Sequence, residues 1–268
     1  MRELPPSRNA RGFTLIELMM AMAIFLIICG VMFELLQLSQ QRYASENQLS
    51  ASFQEARLAM DQIVRDVNVA GYPSLSLYSA VPTDASTYAA GPIAWSPNYY
   101  PSAGCAIGTA GGGTCTTPGD FDLIVETRLG SDANVSWVRY YLKSDNILYR
   151  AVAPKTTGGD PVMATSSAGV AVPFLANVMN NATGQLSAIT ATYPSMFPGG
   201  VPQPIFQYTC STPVGPTPCP LAGVYNLPQN ISDVDVTLIV ATPQRDMQTQ
   251  MLKLVELNGR GHTLNLSH

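Results

Sequence analysis

Between Glu17 and Glu34 the chain runs for sixteen residues, Leu18 to Phe33, without a charged side chain. Only 12% of the whole chain is charged, but this gap is the sharpest part of that shortage. It sits inside residues 13–36, FTLIELMMAMAIFLIICGVMFELL, which carry two charges. Such a segment satisfies its backbone in lipid only as a helix. As a helix its length is about 36 Å, enough to cross a ~30 Å hydrocarbon core. Arg2, Arg8 and Arg11, offset by Glu3, precede it and predict a cytoplasmic N-terminus with the rest translocated. An ordinary secretory signal fits poorly, because no small-x-small cleavage site closes the run and a helical pattern continues beyond it.

Glu17 is the unusual residue. A carboxylate one turn into an apolar helix is expensive unless it has a cationic partner or reaches the headgroups. Its surroundings carry a family resemblance. Arg11-Gly12-Phe13-Thr14-Leu15-Ile16-Glu17 resembles the processing signature of type IV prepilins and type II secretion pseudopilins. The resemblance implies that a prepilin peptidase cuts between Gly12 and Phe13 and methylates the new N-terminus at Phe13. Glu17 then falls fifth in the mature chain and neutralises the terminal amine of a neighbouring subunit during assembly. Removing one partner of a low-dielectric charge pair leaves the other uncompensated.

The stretch from Glu55-Ala56-Arg57-Leu58-Ala59-Met60-Asp61 to Arg65-Asp66-Val67-Asn68-Val69-Ala70-Gly71-Tyr72 is similar to PilW-like minor pilins, and more weakly to J-type minor pseudopilins. The likeness covers residues 11–72 well and 120–152 and 231–258 loosely. One departure is that no Pro occurs between Pro6 and Pro73, whereas many major pilins kink this helix with one. Glu34 stands near that place with no assigned role, and Gly30 is the local weak point. The implied partners are the peptidase, other minor and major pilins or pseudopilins, and inner-membrane lipid. The implied location is the bacterial inner membrane, single pass with the head periplasmic, and then a pilus or pseudopilus.

From Leu49 the apolar residues recur at Phe53, Ala56, Met60, Ile63 and Val67, in steps of four and three, which is one face of a helix. Arg42 with Glu46 and Asp61 with Arg65 have i,i+4 spacing. Arg57 and Arg65 read as solvated or paired stalk charges. Gly71 and Pro73 predict a stop. Four segments follow: a cleaved leader 1–12, a membrane helix 13–36, an amphipathic stalk helix 37–71 and a β-rich head 72–268.

In the head, residues 72–118 are loop-rich, with six Pro and the run Gly111-Gly112-Gly113. This is no phosphate loop, since strand, helix and Lys are missing from their places. Strands are predicted over Phe121–Thr127, Val135–Lys143, Ile147–Val152 and Ile231–Ala241, with Ser144-Asp145-Asn146 as a hairpin turn. Leu186–Tyr193 and Pro204–Cys210 are weaker strand candidates, and Met251–Leu257 is expected beside Ile231–Ala241. The fold class is therefore α+β and pilin-like: one long N-terminal helix packed on an antiparallel head sheet with long loops.

Cys29 lies in the apolar run and reads as a small apolar residue. Cys105, Cys115, Cys210 and Cys219 allow three disulfide connectivities. Pairing within each close couple is expected, because both loops are short and rich in Gly or Pro. Zinc is the alternative, but spacings of ten and nine do not match the usual signature. Disulfides agree with an extracytoplasmic head.

Little looks catalytic. The two histidines, His262 and His268, read as part of a C-terminal tail with Gly259 and Gly261. No nucleophile elbow, zincin or C-x-x-C motif occurs. Asp120 and Asp122, and Asp233 and Asp235, read as solvated carboxylates. The Asn-x-Ser/Thr sequences at Asn134, Asn181, Asn230 and Asn265 carry no weight in a bacterial export system. No enzyme, cofactor or metal is expected. The net charge of −4 argues against a dedicated nucleic-acid binder. The leading expectation is a PilW-like minor pilin that primes or joins a type IV pilus. A J-type minor pseudopilin comes next. A tip module whose 72–118 and 194–230 loops bind a surface or DNA can coexist with either.

Overall fold

The computed structural model describes residues 14–74, 85–99, 104–108, 114–182, 186–220, 225–246 and 249–264. The cut site Gly12/Phe13, the triple glycine, His268 and parts of the two long loops lie outside these residues. The chain divides into two compact units, Met1–Asn47 and Gln48–His268. One helix, α1 (Leu15–Asn68, 54 residues), contributes to both.

Within the first unit the helix is apolar and exposed on every side; Ile24, Phe25, Ile28 and Phe33 are all more than 45% exposed. Its best 18-residue window has a mean hydropathy of 2.6, so by length and composition the helix can cross a membrane. A helix hydrophobic all round needs an apolar surrounding.

The second unit holds two antiparallel sheets. One follows the order β1 (Ile93–Ala94), β2 (Asp122–Thr127), β3 (Ser136–Leu142), β4 (Leu148–Pro154), β5 (Ala171–Leu175). The other has the order β7 (Gly215–Pro218), β6 (Phe206–Thr212), β8 (Ile231–Ala241), β9 (Leu254–His262). The β3–β4 hairpin pairs Leu142 with Leu148, and Asn146 takes a positive φ in its turn, a conformation Asn tolerates. The main core joins both sheets to the last turns of α1: Ala56, Met60, Ile63 and Val67 meet Leu123, Val125, Val138, Tyr140, Phe206, Val234, Val236 and Leu238. The architecture is α+β and pilin-like, a long helix followed by antiparallel sheets.

The helix lies close against β9 because β9 offers glycine there. A Cβ on Gly261 would stand 2.6 Å from Cγ1 and 2.7 Å from Cβ of Val67. One on Gly259 would stand 2.6 Å from Sδ of Met60. These two residues face the helix at period two, while Asn258, Arg260 and His262 alternate to the exposed side.

Several elements differ from the sequence expectations. Leu186–Tyr193 is not a strand; α3 (Leu186–Thr192) stands there. Ile189 and Tyr193, one helical turn apart, both join a cluster of Phe197, Ile239 and Ala241, so period 3.6 prevails over alternation. A further short helix, α2 (Pro161–Thr165), is capped by Asp160, whose side chain accepts from Met163 N–H. The last strand starts and ends later than expected and takes in Gly259 to His262, so His262 belongs to the sheet and not to a tail. Phe53 is 39% exposed, and Ser52 occupies the buried position beside it. Arg42–Glu46 and Asp61–Arg65 do not close as ion pairs among the described residues.

Candidate assembly and head-locking residues

At the start of α1, Thr14 and Glu17 bond reciprocally. The Glu17 carboxylate accepts from the Thr14 N–H and from its hydroxyl, both at 3.0 Å. The Thr14 hydroxyl in turn accepts from the Glu17 N–H at 3.3 Å. This is a capping box, and it satisfies two of the donors that a helix N-terminus leaves open. It also turns the Glu17 carboxylate back toward the start of the helix. Glu17 is exposed and closes no ion pair among the described residues. Glu34 lies beside Val31, Leu35, Gln37, Leu38 and Gln41.

In the second unit, four charged clusters tie neighbouring elements together. Asp66, in the last turn of α1, accepts from the Tyr140 hydroxyl at 2.6 Å, from Arg150 at 3.0 Å and from Gln62 at 2.7 Å. A carboxylate at a helix C-terminus opposes the helix dipole, so Arg150 and Tyr140 are what make it tolerable there. Burial, then the Asp66 charge, pushes the Tyr140 hydroxyl well above its ordinary pKa, which keeps it a donor.

Glu126 and Lys155 form a second, wholly buried pair, 3.4 Å apart, with side chains 1% and 0% exposed. Glu126 also accepts from the Trp137 indole at 2.7 Å, the Ala90 N–H at 2.7 Å and the Tyr99 hydroxyl. Burial pushes its carboxyl up, while the Lys155 charge and these donors pull the other way. The pair pins the irregular segment around Tyr88 to Tyr99 onto the outer face of β2 and β3. Asp122 pairs with Arg139, whose Nε donates to it at 2.9 Å, so it is not the solvated acid that its sequence suggested.

Asp233 also departs from the solvated reading: it is 8% exposed. It meets Ser232 at 2.8 Å, Arg260 at 3.2 Å and His262 Nδ1 at 2.9 Å. Burial raises its pKa, but the hydrogen bonds from Arg260, His262 and Ser232 outweigh that and hold it below the ordinary aspartate value. Asp235 is 42% exposed and lies 3.6 Å from Arg260.

Disulfides join Cys105 to Cys115 and Cys210 to Cys219. The first lies in the cluster with Trp95, Tyr99 and Trp137, and the second fastens β6 beside the end of β7. Cys29 is free and exposed on the apolar helix. Among the described residues, no group of three His, Cys, Asp or Glu side chains could hold a metal ion. Asp66, Glu126 and Lys155 were the positions that sequence reasoning passed over. The one available signal was Asp66 itself, four residues from Gln62 on the buried face of the helix.

Residues 7–33 match the prokaryotic N-terminal methylation motif. The motif marks a type IV pilin- or pseudopilin-like precursor, processed by a prepilin peptidase, membrane-anchored by its apolar helix and assembled with other pilins. No curated protein and no solved structure matches the chain.

Proposed function

We propose that the protein is a minor pilin of the PilW-like kind, which enters the base of a type IV pilus and helps to prime its assembly. Its role is association, not catalysis. The observation that carries this reading is the methylation motif running directly into α1, whose exposed apolar half continues without a Pro break into a half that walls the core of the β-rich unit. In this reading the peptidase cuts between Gly12 and Phe13, the chain spans the inner membrane once with its head in the periplasm, and Phe13 carries the methylated amine. Glu17, already turned toward the helix start by Thr14, neutralises the amine of the neighbouring subunit.

The test is Glu17→Ala in the full-length chain in its own host. Membrane insertion and the mass of the processed, methylated N-terminus stay as in wild type, while the amount recovered in sheared filaments drops. Incorporation at the wild-type level would remove Glu17 from assembly. Deleting the gene should abolish or sharply reduce piliation. A deletion that leaves pili intact but blocks protein secretion would assign the chain to a secretion pseudopilus instead.

A further inference from the structure

The β7-β6-β8-β9 sheet ends on a nine-residue strand whose outer edge pairs with no further strand among the described residues. The register of β8 with β9 pairs Val234 with Gly261 and Val240 with Val255. At the two ends of this ladder, Thr263 N–H donates to Ser232 and Thr242 N–H donates to Lys253. Antiparallel bonds alternate, so the odd-numbered residues of β9 face β8 and the even-numbered ones turn their N–H and C=O outward. His262 confirms the phase: its N–H is taken by Asn68 Oδ1 at 2.8 Å, on the side away from β8. The outward N–H groups of Glu256, Asn258 and Arg260 meet no acceptor among the described residues, and all three residues are exposed. β9 contains no Pro, unlike the opposite edge strand β7, which has two. Open edges of this kind are templates for strand addition.

The side chains around the edge say what fits. The face next to it carries the accessible Asp235 and Glu256, with Asp233 buried beneath them, against Arg260, which already serves the two aspartates, and His262, which meets Asp233. The covered side of the strand presents Val255 and Leu257. We propose that β9 takes up an extended, cationic strand from another subunit of the assembly, with Lys or Arg at alternate positions facing the carboxylates and apolar residues between them. The identity of the donor as another pilin subunit rests on the function proposed above; the edge geometry does not.

The experiment uses the full chain in detergent and two acetylated nonapeptides, one alternating Lys with Val and one alternating Glu with Val. Residue-resolved hydrogen exchange is read at 256, 258 and 260. The cationic peptide should slow exchange at these amides, the acidic one should not, and the effect should fade with added salt. Asn258→Pro blocks the outward N–H without removing a β8–β9 bond, and should weaken binding of the cationic peptide at least tenfold. Unchanged exchange with the cationic peptide, or undiminished binding by a folded Asn258→Pro, overturns the proposal. Protection without peptide that grows with protein concentration also overturns it, by showing a second copy as the occupant. If Asn258→Pro fails to fold, exchange in the wild type decides. None of these readouts requires filaments, so failure here leaves the pilin reading standing, and failure of Glu17 in assembly leaves this one.

Discussion

Replacing Asp66 with alanine should unlock α1 from the five-stranded sheet. The carboxylate is 4% exposed and accepts three hydrogen bonds, from Tyr140, Arg150 and Gln62. Removing one partner of a buried pair typically costs about 3–5 kcal/mol, because the other charge is left uncompensated. Two features place this site at the lower end. The Arg150 side chain is 22% exposed and can recover some hydration. Its Nε also keeps the Tyr140 hydroxyl as an acceptor at 2.9 Å. The expected loss is about 3 kcal/mol, more than a hundredfold in the folded-to-unfolded ratio. Asp66→Asn keeps an oxygen for Tyr140 but loses the charge, and should cost about half as much. The assay is denaturant unfolding of the full chain in detergent, followed by the fluorescence of Trp95 and Trp137, with a double-mutant cycle against Arg150→Met. If the two residues act as a pair, the cycle returns a coupling of at least about 1 kcal/mol. A loss under about 0.5 kcal/mol for Asp66→Ala, or strict additivity with Arg150→Met, would refute the assignment of Asp66 as the lock.

Two further outcomes follow from the head. The Asp233 carboxyl is held below its ordinary value of 3.8, so its stabilising contribution is present above about pH 4 and is lost as the pH falls through the lowered folded value. Wild type should lose its advantage over Asp233→Asn in urea midpoint between pH 6 and pH 3, and a constant gap across that range would contradict the linkage. Gly261→Ala should destabilise by about 1–3 kcal/mol, since its Cβ would collide with the branched, stiff Val67. Gly259→Ala should cost less, because the nearest obstacle there is the flexible end of Met60; the reverse order of thermal midpoints would contradict this packing.

What the sequence made legible was what depends on local pattern. The apolar run, the helical stripe through Ala56, Met60, Ile63 and Val67, and the alternation in Ile231–Ala241 each report a periodicity set by backbone geometry. The capping relation of Thr14 and Glu17 is just as local, at three residues' separation, but the sequence reading passed it over. The misreadings came from long-range partners. Asp233 looked solvated because its consorts Arg260 and His262 lie 27 and 29 residues on. Gly259 and Gly261 suggested a tail because glycine weakens a strand in isolation, and only the approach of α1 explains why they are needed. Leu186–Tyr193 was ambiguous because short apolar segments fit both periods, and the cluster around Phe197 selects the helix. Asp66 drew no notice because an acid in a stalk helix is ordinary until Tyr140 and Arg150 arrive from β3 and β4.

The sharing of α1 between the two units sets where this protein can be divided. Segmenting it where the helix ends, near residue 71, would look natural on a domain map. Yet Ala56, Met60, Ile63 and Val67 form one wall of the head's core, and Asp66 fills its polar corner. A soluble fragment must therefore keep the helix from about Gln48 onward, with the apolar residues before Asn47 removed. One starting at Tyr72 would expose the faces of Val236 and Leu238 and leave Arg150 without its acid. The same helix that can anchor the chain also completes its fold.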